Sequence, residues 1–145
     1  MSKKHITLTV FLLVFLLSIP VITNAQDDSK NLLSSRSMLD SYQFSGLLSN
    51  NIYSQDTFNT NGTNILLNYR QWDNVPQCIQ TVRYVICNHG YIYDTDYVYN
   101  TSDVDDENQA YQMYLGAPPA GTDRSLKIIN ETRVYPISGF GELYE

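Results

Sequence analysis

Hydrophobic and polar positions follow three regimes along the chain. From Ile6 to Ile22 nearly every residue is apolar, with no periodicity at all. From Asn31 to Tyr42, Leu32, Ser35, Leu39 and Tyr42 recur near one helical face, which admits a short helix. Ser49 to Asn64 is dominated by Asn, Thr, Ser and Asp and reads as a loop. Beyond it the period shifts toward two. Ile65 to Trp72, Gly90 to Asn100, Ala110 to Leu115 and Leu126 to Ile137 read as strands, with Gly116 to Gly121 as an intervening loop. Pro136 has no N–H for a ladder, so it ends the last strand or places it at an edge.

The expected fold is therefore mainly β: a small antiparallel sheet or sandwich with at most one short N-terminal helix. The alternative is α+β and turns on Cys78 to Cys87, where Asn74 offers a cap, Ile79, Val82 and Ile86 share a helical face, and Gly90 offers a stop. Thr81, Val82, Val85 and Ile86 are β-branched, which favours a strand there.

The apolar block follows Lys3 and Lys4, is broken by Pro20 and leads to small residues before Gln26. That is the layout of a cleavable secretory signal peptide over residues 1–25, cut after Ala25. The expected organisation continues with a polar lead and short helix over 26–50, one β-rich domain over 51–138 and a C-terminal tail over 139–145. Loss of Lys3 and Lys4 leaves seven of the nine basic residues against fifteen acidic ones, a net charge of −8. With its basic residues scattered, such a chain is not suited to phosphate backbones, so no nucleic-acid partner is expected. No second apolar stretch reaches bilayer length, so no membrane insertion is expected after cleavage.

Export permits a disulfide, and the expected bond is Cys78 with Cys87, the pair available within the chain, with two free buried thiols or bonds to another chain as the alternatives. One continuous strand would hold them roughly 30 Å apart and one helix about 13.5 Å, both beyond the ~7 Å reach of a disulfide. A bond requires the chain to reverse near Val82-Arg83, where no turn-forming residue stands.

The most distinctive candidate surface is the run after Gly90. Alternation puts Tyr91, Tyr93, Tyr97 and Tyr99 on one face, suited to stacking on sugars or proteins, and Asp94 and Asp96 on the other. A tyrosine row packing on a second layer would give the same pattern. Asp103, Asp105 and Glu107 imitate the start of a calcium loop, but Asn108 replaces the turn glycine and Tyr114 the terminal glutamate. Asp94 and Asp96 form the one pair resembling a glycosidase acid pair. His89 would be the single histidine of the mature chain and, beside Gly90, reads as a turn residue. Asn61, Asn100 and Asn130 head N-glycosylation sequons. The sequence asks for neither metal nor cofactor.

These features point to a small secreted acidic protein that binds extracellular protein or carbohydrate, or serves structurally, without catalysis. A secreted signalling ligand or toxin-like effector is the second expectation, and a glycan hydrolase using Asp94 or Asp96 the third.

Overall fold

A computed structural model of the protein describes residues 35–48, 51–75, 80–88 and 95–145. Among these, nine strands form: β1 (Met38–Leu47), β2 (Asn51–Tyr53), β3 (Phe58–Thr60), β4 (Ile65–Asp73), β5 (Val82–Asn88), β6 (Asp96–Ser102), β7 (Asp106–Gly116), β8 (Gly121–Asn130) and β9 (Ile137–Tyr144). They build two antiparallel sheets, β1-β9-β4-β7 and β2-β8-β5-β6, with β3 also paired to β8. The mainly-β expectation holds. No described residue is helical: Met38 to Tyr42, read as the end of a helix, begins β1, and Val82 to Asn88 is β5. The expected loop over 49–64 contains β2 and β3, and the expected tail from Gly139 lies within β9. The leader, Cys78, His89, Tyr91, Tyr93 and Asp94 lie outside the described residues.

The core follows from period-two patterning. Ile65, Leu67 and Tyr69 of β4, Tyr42 and Phe44 of β1, and Leu143 of β9 meet Val82, Tyr84 and Ile86 of β5 and Leu126 and Ile128 of β8. Burying each of the larger aliphatic side chains contributes roughly 1.5–3 kcal/mol, which offsets the entropy of ordering the strands.

Glycine makes room for the aromatic part of that core. Gly141 of β9 lies opposite both Tyr42 and Tyr69, and Gly139 lies opposite Phe44 and Gln71. A β-carbon at Gly141 would collide with the Asn68 carbonyl and stand 2.7 Å from Tyr42 Oη; at Gly139 it would stand 2.9 Å from the Phe44 ring. The rings of β1 thus lean across β9 at the two positions, between the buried Ile137 and Leu143, where it has no side chain. Tyr42 then reaches Tyr84 with centroids 5.9 Å apart, and Tyr84 reaches Tyr69 at 5.5 Å.

Gln71 joins the two layers. Its Nε2 donates to the carbonyls of Ser102 (3.2 Å) and Val104 (2.9 Å), while its Oε1 accepts from the Tyr84 hydroxyl (3.1 Å). Tyr69 Oη donates to Ser102 Oγ (2.8 Å), completing a buried polar bridge from β4 to β5 and to the β6–β7 connection. Tyr42 is different, since its buried hydroxyl makes no hydrogen bond of good geometry to a described residue. Burial drives both the Tyr42 and Tyr84 hydroxyls above their ordinary range.

Removing one hydroxyl at a time separates these roles. Tyr84→Phe orphans the buried Gln71 carbonyl and is expected to cost about 1–3 kcal/mol, whereas Tyr42→Phe deletes an unsatisfied group and is expected to be neutral or stabilising. Urea midpoints of the two variants check this; equal losses would contradict it. Gly141→Ala is expected to cost about 1–3 kcal/mol through overpacking, read in the same assay.

Candidate functional site

Where the sequence pointed to the β6 region, the structure separates its parts. A register shift between Ile86 and Cys87 leaves Tyr97 outside the two-residue alternation. The Tyr97 ring lies 4.1 Å beneath the Arg124 guanidinium, whose Nη1 donates to its hydroxyl (2.8 Å). Tyr99 is exposed under a different cation, Arg83, at 4.8 Å. Asp96 pairs with Lys127 at 3.4 Å and Arg83 with Glu131 at 2.6 Å, so these charges are engaged locally. Among the described residues no group of three or more His, Cys, Asp or Glu side chains gathers to hold a metal. Asp105 Oδ1 instead accepts the Asp73 backbone N–H (2.9 Å), and Asp106 Oδ1 that of Asn108 (2.8 Å). Cys87 is fully buried, its sulfur 3.7 Å from the Ser125 carbonyl oxygen.

The three sequons differ in what their amides do. Asn130 is 1% exposed. Its Nδ2 donates to the carbonyls of Leu47 (3.1 Å) and Tyr135 (2.9 Å), and its Oδ1 accepts from Arg133 N (3.0 Å). It ties the β8–β9 turn to the end of β1, and the folded chain has no room for a glycan there, contrary to the expectation for that sequon. Asn100 is exposed, but its Nδ2 donates to the Tyr114 carbonyl (2.9 Å). Asn61 is exposed in the β3–β4 turn, where its Oδ1 accepts from Thr63 N (3.2 Å) and its Nδ2 has no bond to a described residue.

A second surface gathers more uncommitted chemistry: the outer face of the β1-β9-β4-β7 sheet. Residues opposite one another in an antiparallel ladder share a face about 5 Å apart, and the register sets three rows here. Met38, Tyr144, Leu66 and Tyr114 form the first. Ser41, Glu142, Asn68 and Gln112 form the second, and Gln43, Phe140 and Arg70 the third. Trp72 stands beyond the third row, its ring edge-on to Phe140 with centroids 6.2 Å apart. Phe140 is 41% and Tyr114 46% exposed. Gln43, Asn68, Phe140, Arg70 and Glu142 also border an open cleft of about 970 Å³.

On this face the amides are uncommitted, while the charged groups are held by local contacts. The side-chain amides of Gln43, Asn68 and Gln112 make no hydrogen bond to a described residue. Arg70 lies 5.6 Å over Phe140 and reaches the Glu107 carbonyl (3.3 Å). Arg36 lies 5.3 Å over Tyr114 and donates to the Asn64 carbonyl (2.9 Å). Glu142 accepts a 2.5 Å bond from the Tyr144 hydroxyl. That carboxylate holds the Tyr144 hydroxyl proton, pushing its pKa up to about 12.

Sequence reasoning missed this face because its residues come from four strands that are distant in the chain. The available signal was the alternation Leu66, Asn68, Arg70, Trp72 in β4, and Phe140 and Glu142 flanking Gly141. Compared with protein families, with curated proteins and with solved structures, the chain gives no match. Among the described residues no helix is long and apolar enough to cross a membrane.

The Tyr144–Glu142 bond gives a pH prediction. Because the folded pKa is raised, its contribution to stability is fully present below the ordinary tyrosine value of 10.0 and lost as pH rises through about 12. Glu142→Gln is expected to return Tyr144 toward 10.0, seen as earlier tyrosinate absorbance in a spectrophotometric titration referenced to Tyr144→Phe. An unchanged curve would mean the carboxylate does not hold the proton.

Proposed function

We propose that the protein is a secreted, non-catalytic recognition module whose contact surface is the outer face of the β1-β9-β4-β7 sheet. The observation that carries this is the convergence on one face of the exposed rings of Tyr114 and Phe140 with three uncommitted side-chain amides, Gln43, Asn68 and Gln112. Rings and amides in this mixture are what recognition surfaces use: rigid aromatic area costs little entropy on binding, and amides adapt to donors or acceptors. Buried polar groups elsewhere are mostly occupied in holding the fold, whereas those on this face are left for a ligand.

Secretion follows from the reading of residues 1–25 as a signal peptide, and an extracellular setting agrees with an acidic, tyrosine-rich surface. In a pathway that attaches N-glycans, Asn61 is the sequon best presented. It is exposed in the β3–β4 turn, and its side-chain amide nitrogen makes no bond to a described residue.

The β6 surface is the rival location, and substitution distinguishes the two. Phe140→Ala is expected to weaken retention on cell-surface or matrix material by about tenfold, as for a central aromatic anchor. Tyr99→Ala is expected to leave retention unchanged, with thermal unfolding confirming that both variants fold. Loss in Tyr99→Ala and not in Phe140→Ala would move the site to β6.

A further inference from the structure

The two sheets treat their surface cations differently. Arg83 and Lys127 of β5 and β8 pair with Glu131 and Asp96. Arg36 and Arg70, on the opposite face, make no ion pair with a described carboxylate, although acids outnumber bases in the chain. Each instead lies over an aromatic ring, Tyr114 or Phe140. Arg36 spends Nη1 on the Asn64 carbonyl and Nη2 on the Tyr114 hydroxyl (3.4 Å), and Arg70 spends Nη1 on the Glu107 carbonyl. Each of the five-donor guanidinium groups keeps further N–H donors, which suit a carboxylate or sulfate.

Spacing and the intervening row narrow the ligand further. Arg36 lies with the Leu66–Tyr114 row, and Arg70 is four residues further along β4. That is roughly 13 Å of strand. Between them stands the row of Glu142, Asn68 and Gln112. Glu142 repels an anion placed on that row, while it and the amides can exchange hydrogen bonds with neutral hydroxyls. Main-chain groups in the middle of the sheet are spent in the ladder, so an extended peptide would find no free edge to pair with on this face.

We propose that this face binds an acidic polysaccharide, with anionic groups seated on Arg36 and Arg70 and uncharged sugar hydroxyls on the Glu142–Asn68–Gln112 row. The proposal rests on the outer face being the contact surface and adds the ligand class.

The probe is a hyaluronan octasaccharide, in which carboxylates alternate with neutral N-acetylated sugars, titrated calorimetrically into the protein beside three comparators. These are its carboxyl-reduced form, a neutral chitin oligomer and an oligoglutamate peptide. Binding is expected for the acidic sugar. A weakening of about 10- to 100-fold is expected for the carboxyl-reduced form and for Arg70→Gln or Arg36→Gln, with partial recovery in Arg70→Lys.

Equal binding of the reduced or neutral sugar, with Arg70→Gln unaffected and Phe140→Ala impaired, would overturn the acidic-ligand inference and leave the contact face standing. Equal binding of oligoglutamate at the same face would overturn it in favour of an acidic peptide. If no sugar binds and Phe140→Ala leaves retention on native extracellular material unchanged, both readings fall. Thermal midpoints of each variant separate loss of contact from loss of fold.

Discussion

Two curved sheets can share a core only if something holds them in one relative position, and here that is done by a buried amide. Gln71 faces inward from β4, a strand hydrogen-bonded on both sides, and its side chain satisfies the carbonyl that ends β6, one carbonyl of the β6–β7 connection and one tyrosine hydroxyl of β5. Hydrophobic contacts between sheets are non-directional and tolerate sliding. A fully satisfied amide does not, because movement by even part of a residue leaves a donor or acceptor buried without a partner, at about 1–3 kcal/mol for each group.

That fixed position depends in turn on close approach within the β1-β9-β4-β7 sheet. Gly139 and Gly141 leave two inner-face positions of β9 without side chains, and the rings of Phe44 and Tyr42 occupy the space. The same strand therefore presents a two-glycine gap between Ile137 and Leu143 inward and Phe140 and Glu142 outward. The packing that orders the core and the chemistry of the contact face are two sides of one strand, so the rings and carboxylate outside sit on a rigid support. Preorganisation of this kind lowers the entropy lost on binding.

The two sheets hold their surface cations differently, one in ion pairs and the other over aromatic rings. On the β2-β8-β5-β6 sheet, Arg83 with Glu131 and Lys127 with Asp96 leave little for a partner to neutralise. On the other face, guanidinium groups rest on aromatic rings and the amides between them are idle. Surface ion pairs contribute little to stability. The difference between the faces therefore bears more on recognition than on folding.

The amino-acid order by itself determined the class of fold, since a period of two is a local property of strands: Ile65 to Trp72 is legible as a half-buried strand because Ile65, Leu67 and Tyr69 alternate with Asn68 and Arg70. It was less informative where strands are short and polar, as in β2 and β3, or bulged, as in β6, where Tyr97 is the extra residue that the ladder leaves unpaired. Only the tertiary structure decided which polar residues are structural. Asn130 reads as a sequon but is a buried turn clamp, and Gln71 reads as one more strand residue but bridges the sheets. The candidate face was decided there too, because Arg36, Arg70, Tyr114 and Phe140 lie far apart in the chain and become neighbours only through strand order. Long-range antiparallel pairing, set by the burial of the opposite face, places them together, and no local pattern carries that information.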